Sequence, residues 1–169
     1  MLKNHRKQSP QKVSCKIITV SDTRTVDTDK SGKLLKELLL QEGHIIEDYE
    51  IVADEKDRIK ASVKAGIENP LIDAVLLNGG TGIAKRDVTI ETIQPLLDKE
   101  LVGFGEIFRY LSYELDIGSA AILSRAIAGV SDTTVIFSMP GSTGAVRLAM
   151  EKLIIPELGH IVMEMKKDL

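Results

Sequence analysis

Leu71-Ile-Asp-Ala-Val-Leu-Leu-Asn-Gly-Gly-Thr-Gly82 is the stretch on which the fold turns. An apolar run that stops at Asn78 and gives way to Gly79, Gly80 and Gly82 predicts a buried strand entering a tight loop, and Thr89 to Leu97 beyond it has helical spacing. Two similar units precede it. Ser14 to Ser21 is short, apolar and β-branched, and Leu34, Leu35, Leu38 and Leu39 predict a helix over 31–42 that Gly43 stops. His44 to Val52 looks extended, and Ile59, Val63 and Ile67 put one apolar face on a helix over 54–67. Downstream, Phe104, Ile107, Phe108, Leu111 and Leu115 predict a helix over 103–115. Strands over 126–130 and 134–139 flank the turn residues Ser131-Asp132-Thr133. Ala145, Val146, Leu148, Ala149 and Leu153 follow Pro140-Gly141-Ser142-Thr143-Gly144 at helical spacing, and Pro156 separates them from a last amphipathic helix through Leu158, Ile161, Val162 and Met165. Alternating strands and helices predict a three-layer α/β/α domain with a mostly parallel sheet and one antiparallel strand.

Composition agrees with one domain. The chain has 169 residues, is 43% hydrophobic and 28% charged, and contains no Trp. That length builds one well-covered core, and no apolar run approaches the roughly 18 residues of a membrane span. The net charge of −3 and the three Phe and three Tyr argue against nucleic acid as a partner. Lys3, Arg6, Lys7 and Lys12 make the start basic, and no apolar segment of a targeting signal follows. Residues 1–13 therefore read as a flexible arm and 14–169 as the domain. A single cysteine, Cys15, allows no internal disulfide, and a cytoplasmic protein is expected.

In an open α/β sheet the ligand crevice lies beyond the carboxyl ends of the strands. Ser21-Asp22-Thr23-Arg24, Ala53-Asp54-Glu55, Gly79-Gly80-Thr81-Gly82 with Arg86-Asp87, and Pro140-Gly141-Ser142 all fall there. The glycine loop would let backbone N–H groups approach a phosphate, or is simply a turn with positive φ. It lacks the G-x-G-x-x-G dinucleotide fingerprint, and Gly32-Lys33 lacks the rest of a P-loop. Asp27, Asp29, Ser31 and Gly32 imitate a calcium loop, but Leu38 stands where the bidentate Glu belongs, so capping a helix is the better role. Asp54 and Asp87 each precede a helix, where a carboxylate either holds Mg²⁺ beside substrate phosphates or caps the helix; Asp57 three residues on favours a cap at Asp54. Ser142 either caps the helix that follows or helps form an anion pocket. Arg24, Arg86 and Arg125 have the chemistry to pair phosphates or to make surface contacts. Nucleophilic catalysis has no support: Cys15 sits in a predicted strand, and His5, His44 and His160 are scattered.

Taken in order, Ser21-Asp-Thr-Arg-Thr25, Asp29-Lys-Ser-Gly32, Asn78-Gly-Gly-Thr-Gly82 with Arg86-Asp-Val-Thr89, Gly103-Phe-Gly-Glu-Ile-Phe-Arg109, Ala121-Ile-Leu-Ser-Arg125 and Met139-Pro-Gly-Ser-Thr143 resemble the molybdenum cofactor biosynthesis protein B (MoaB) family, related to MogA and the gephyrin G domain. The resemblance covers about residues 14–156. It implies binding of molybdopterin, a phosphorylated dithiolene pterin, and, in active members, transfer of AMP from MgATP to its terminal phosphate; other members bind without catalysis. By position it implies that Asp54 and Asp87 hold Mg²⁺ and orient the phosphates. Gly79, Gly80, Thr81 and Gly82 would line the phosphate pocket. Ser21, Asp22, Thr23, Arg24, Arg86, Gly103, Phe104, Gly105, Glu106, Ser124, Arg125, Pro140, Gly141 and Ser142 would surround the substrate, with Phe104 the one ring placed to stack on the pterin. It further implies a homotrimer or homohexamer and partners among other proteins of the pathway; the apolar faces of the 104–115 and 156–166 helices read equally as subunit contacts or as core. Ile90 departs from the Pro many relatives have there, which should alter helix rigidity and not chemistry.

Overall fold

The computed structural model describes residues 12–169. Strand β1 (Ser14–Val20) is followed by helix α1 (Lys30–Gln41), β2 (Ile45–Val52), α2 (Lys56–Glu68), β3 (Ala74–Asn78) and α3 (Thr89–Ile93). The chain continues through β4 (Lys99–Glu100), α4 (Val102–Ser112), β5 (Ile127–Ser131), β6 (Thr134–Met139), α5 (Thr143–Ala149) and α6 (Ile155–Lys166). The strands form one sheet in the order β2-β1-β3-β6-β5-β4. β1, β2, β3 and β6 pair in parallel, while β5 runs against both its neighbours, so the sheet has the single antiparallel strand expected.

Side-chain alternation along the central strands feeds two cores. Cys15, Ile17, Leu76 and Phe137 pack with Leu35, Leu39, Phe108, Val146 and Leu158 from α1, α4, α5 and α6. Ile18, Leu77 and Ile136 pack on the other face with Ile59, Val63 and Ile93 from α2 and α3, where Ile90 also packs. Strands buried on both faces are why the sequence shows continuous apolar runs there instead of alternation. Phe108 is fully buried, and its truncation to Ala is expected to cost about 3–5 kcal/mol.

Several local expectations change. The arm expected over residues 1–13, including His5, lies outside the described residues as far as residue 11, but Val13 is fully buried in the core. The helix expected from Thr89 to Leu97 is α-helical only to Ile93, and Pro95 sits in the 3₁₀ turn Gln94–Leu96 that follows. Pro156 does not break the C-terminal helices apart. A π turn over Met150–Ile154 carries the chain from α5 into α6, so Pro156 enters at the first turn of α6, where its missing N–H costs little. Likewise α4 ends at Ser112 and passes into a π turn, Tyr113–Ile117. β4, two residues long, was too short to be read from pattern. Among the described residues no helix is long and apolar enough to cross a membrane.

The connection order positions the site. From β1 the chain passes through α1 to β2 on one side, then returns through α2 to β3 on the other side of β1, and α1 and α2 lie on opposite faces. β1 and β3 are thus the switch point of the sheet, and the loops leaving their carboxyl ends diverge to leave a crevice.

Candidate active site

Thr19, Val20 and Ser21 from β1, Asn78 to Gly82 from β3, Pro140 and Gly141 after β6, and Ser124 from the segment before β5 line a cavity of about 540 Å³ at that switch point. Its conformation depends on glycine. Gly79 and Gly80 have φ of +97° and +65°. A Cβ on Gly79 would lie 2.3 Å from the Val20 carbonyl oxygen, and one on Gly80 2.3 Å from Thr89 Oγ1. Both the backbone angle and the space exclude a side chain.

The carbonyls of this loop are occupied from behind. Thr89 donates its hydroxyl to Gly79 O and its N–H to Gly80 O, each at 3.0 Å. Arg125 donates Nε to Thr81 O at 2.9 Å and Nη2 to Gly82 O at 2.8 Å. Among the described residues, no acceptor takes the N–H groups of Gly80, Thr81 or Gly82. A loop whose carbonyls are all tied back and whose N–H groups are unspent suits an anion.

Two carboxylates bracket the loop. A Cβ on Gly80 would be 2.9 Å from Asp54 Oδ1, and one on Gly82 2.6 Å from Asp87 Oδ2. Asp87 accepts from Ala84 N at 2.9 Å, which closes the turn after the glycines and fixes the carboxylate. Asp54 does not cap α2: that position is Glu55, with no side-chain cap bond. Instead Asp54 and Asp22 brace each other, each carboxylate accepting the other's backbone N–H at 3.0 Å. Burial, then the Asp22 charge and more weakly the Asp87 charge, push the Asp54 carboxyl above its ordinary value. Two half-buried acids with only oxygen donors fit a magnesium ion. That cation takes one or two carboxylates and fills its octahedron with water and phosphate oxygens. Among the described residues there is no larger group of acids, His or Cys to hold a metal.

Under the cavity floor lies a buried polar relay that the sequence did not announce. Asn78 donates Nδ2 to Thr19 Oγ1 at 2.9 Å and accepts at Oδ1 from Ser31 at 2.7 Å. Fully buried Asp29 caps α1 by accepting from Gly32 N at 2.9 Å and takes the Tyr49 hydroxyl; against the upward push of burial, hydrogen bonding with Thr19 first, then Tyr49 and the Gly32 N–H, holds its carboxyl below the usual range. The cap at Asp29 was legible. The bonds that cross 47 and 59 residues to Asn78 were not, because nothing local marks them.

Other expected positions are placed differently. Ser21, Thr23, Arg24, Gly79 to Gly82, Asp87, Ser124, Pro140 and Gly141 line the cavity. Arg86 and Arg125 are not free to grip phosphate: Arg86 pairs with Asp22, Nε to Oδ2 at 2.6 Å, and Arg125 with Glu91 as well as the loop carbonyls. They act as clamps on the two acid loops. Arg24 donates to Thr28 O at 3.1 Å and remains at the mouth. Ser142 caps α5 by accepting from Ala145 N at 3.1 Å and does not line the cavity. Gly103, Phe104, Gly105 and Glu106 form the first turns of α4, away from it. The Phe104 ring packs on Phe108 and, edge-on at 5.3 Å, on Phe137, so it belongs to the core and is not a stacking platform. Ile117, Ala120 and Leu123 supply the apolar wall instead. Burial pushes the Cys15 thiol up, and His160 is paired with Glu157, so neither offers a nucleophile here.

Comparison with known proteins then gives the chemistry a context. A family model described as a probable molybdopterin binding domain matches residues 16–160. Molybdenum cofactor biosynthesis protein B of Bacillus subtilis is 64% identical over 99% of this chain and 98% of its own length. A crystal structure of a molybdenum cofactor biosynthesis protein B superposes with a TM-score of 0.92 at 62% identity, covering 95% of this chain and 99% of that one. The tungsten cofactor synthesizing protein MoaB from Pyrococcus furiosus superposes at 0.84 with 40% identity, covering 94% and 99%.

Proposed function

Because the chain belongs to the molybdenum cofactor biosynthesis protein B family, of the wider MogA-like fold, we propose that it binds molybdopterin in the glycine-lined cavity and adenylylates it with MgATP. The terminal phosphate of the pterin would lie on the N–H groups of Gly80 to Gly82, and its ring against Ile117, Leu123 and Pro140. The observation that carries this reading is the pair Asp54 and Asp87, whose carboxylates lie against Gly80 and Gly82 of that loop.

The reaction suits these residues. A phosphate oxygen of molybdopterin is itself the nucleophile; it forms a bond to the α-phosphorus of ATP as the bond to the β-phosphate oxygen breaks and pyrophosphate leaves. Such a transfer needs alignment and charge neutralisation, and no protein nucleophile. Asp54 and Asp87 would hold the magnesium ion, whose chemistry is to neutralise charge shared by the reacting phosphates. Arg86 fixes Asp22 and through it Asp54, and Arg125 fixes the loop that presents the N–H groups. The exposed apolar side chains of Ile107, Tyr110, Tyr113 and Leu115 on and after α4 support a homo-oligomer, whereas Leu158 and Val162 of α6 are core.

The test is to mix purified protein with molybdopterin and MgATP and follow pyrophosphate. Release that requires the pterin and is abolished by a chelator is expected. Tight pterin binding without pyrophosphate would leave a pterin-binding protein of the same pathway and remove the enzyme.

A further inference from the structure

The glycine-lined cavity accounts for one polyanion, but adenylyl transfer brings two together. Asp54 borders a different cavity, of about 670 Å³, with Glu55, Lys56, Asp57, Lys85 and Arg86. The two cavities have no lining residue in common: Asp87 borders the first and Asp54 the second, with Gly80 and Gly82 against those carboxylates. Of the three cations around the second, Arg86 is committed to Asp22. Lys56 and Lys85 are exposed and make no ion pair with a described carboxylate.

In-line displacement at phosphorus places the attacking oxygen and the leaving oxygen on opposite sides of the transferred group. With the pterin phosphate on the glycine loop and the transferred phosphorus beside the carboxylate pair, the leaving group must emerge on the Asp54 side. We propose that this second cavity receives the β- and γ-phosphates of the nucleoside triphosphate as their magnesium complex, and that Lys56 and Lys85 hold the departing pyrophosphate. The proposal rests on the adenylyl-transfer reading. Its charge pattern is specific: Asp54, Glu55 and Asp57 repel a bare polyphosphate, so binding requires the cation that both the carboxylates and the phosphates share. The transferred unit gains the new phosphorus–oxygen bond to the pterin phosphate, and the electron pair of the broken bond leaves with pyrophosphate.

The experiment titrates inorganic pyrophosphate into the full-length protein by calorimetry, with and without magnesium, without pterin or nucleotide. Wild type should bind only with magnesium, and Lys56→Ala combined with Lys85→Ala should weaken that binding at least about tenfold while leaving molybdopterin affinity unchanged. Lys85→Arg together with Lys56→Arg should restore most of it. Equal affinity in wild type and the Ala pair, equal binding without magnesium, or no binding by wild type overturns the proposal. Failure of the adenylyl reading itself shows separately, as absence of pyrophosphate release by wild type with molybdopterin and MgATP.

Discussion

The two ends of the central strands use the same residue types for opposite purposes. At the amino ends, Asp73 accepts from Ser14 N at 3.0 Å and pairs with Lys166 of α6, while the Asp73 N–H returns to Ser14 O at 2.8 Å. His44 accepts from Val13 N at 3.2 Å beside them. Asp73 and Lys166 thus close on each other within the fold. At the carboxyl ends, Asp54 and Asp87 lie against the glycine loop and, among the described residues, pair with no Lys, Arg or His, and three loop N–H groups have no acceptor. A carboxylate that completes its bonds internally stabilises; one whose bonds are left over is available to a ligand. Stability and function should therefore separate by end of the sheet.

Mutation can break that separation. The largest expected effect is on the carboxyl side: Asp87→Asn should lower turnover by about a hundredfold or more while changing molybdopterin affinity little, measured as kcat against pterin Kd. An unchanged rate would remove Asp87 from catalysis. Next, Gly80→Ala puts a methyl group onto Thr89 Oγ1 and forces φ of +65° on a residue that resists it. It should abolish pterin binding and cost about 1–3 kcal/mol in denaturant melts. At the amino end, Asp73→Ala should cost about 1–3 kcal/mol by orphaning Ser14 N and Lys166, yet leave KM and kcat of the folded enzyme within a few-fold.

The smallest effect is a pH dependence. Burial lowers the pKa of His44, and its Nδ1 must stay unprotonated to accept from Val13 N. A folded-state pKa below the unfolded one means full stability above the unfolded value of about 6.5, with loss as pH falls below it. The melting temperature should drop between pH 7.5 and 5.5, and His44→Gln should flatten that slope. An identical slope would take His44 out of the brace.

The sequence carried the alternation of strands and helices because each central strand is apolar on both faces and each helix repeats its apolar face. It carried the glycine loop because Gly79 and Gly80 have no alternative residue at their angles, whereas Asp54 reads as a cap or as a metal ligand until Glu55 takes the cap position. It failed where long-range packing decides. Phe104 has the same local pattern whether it faces a ligand or Phe137, and only the position of β6 settles it. Arg86 and Arg125 read either as phosphate ligands or as surface contacts until Asp22 and Glu91, 64 and 34 residues away, claim them. Asn78 reads only as the end of an apolar run; its place in the cavity floor needs Thr19 and Ser31 from two other elements.

Adenylyl transfer is tested most sharply by a single turnover with protein in excess over molybdopterin and ATP labelled at the α-phosphate. The label is expected to move to the pterin in equal amount with pyrophosphate, and Asp54→Asn and Asp87→Asn should each suppress the transfer. Label that remains in ATP, or appears as free AMP while molybdopterin is bound, would contradict it.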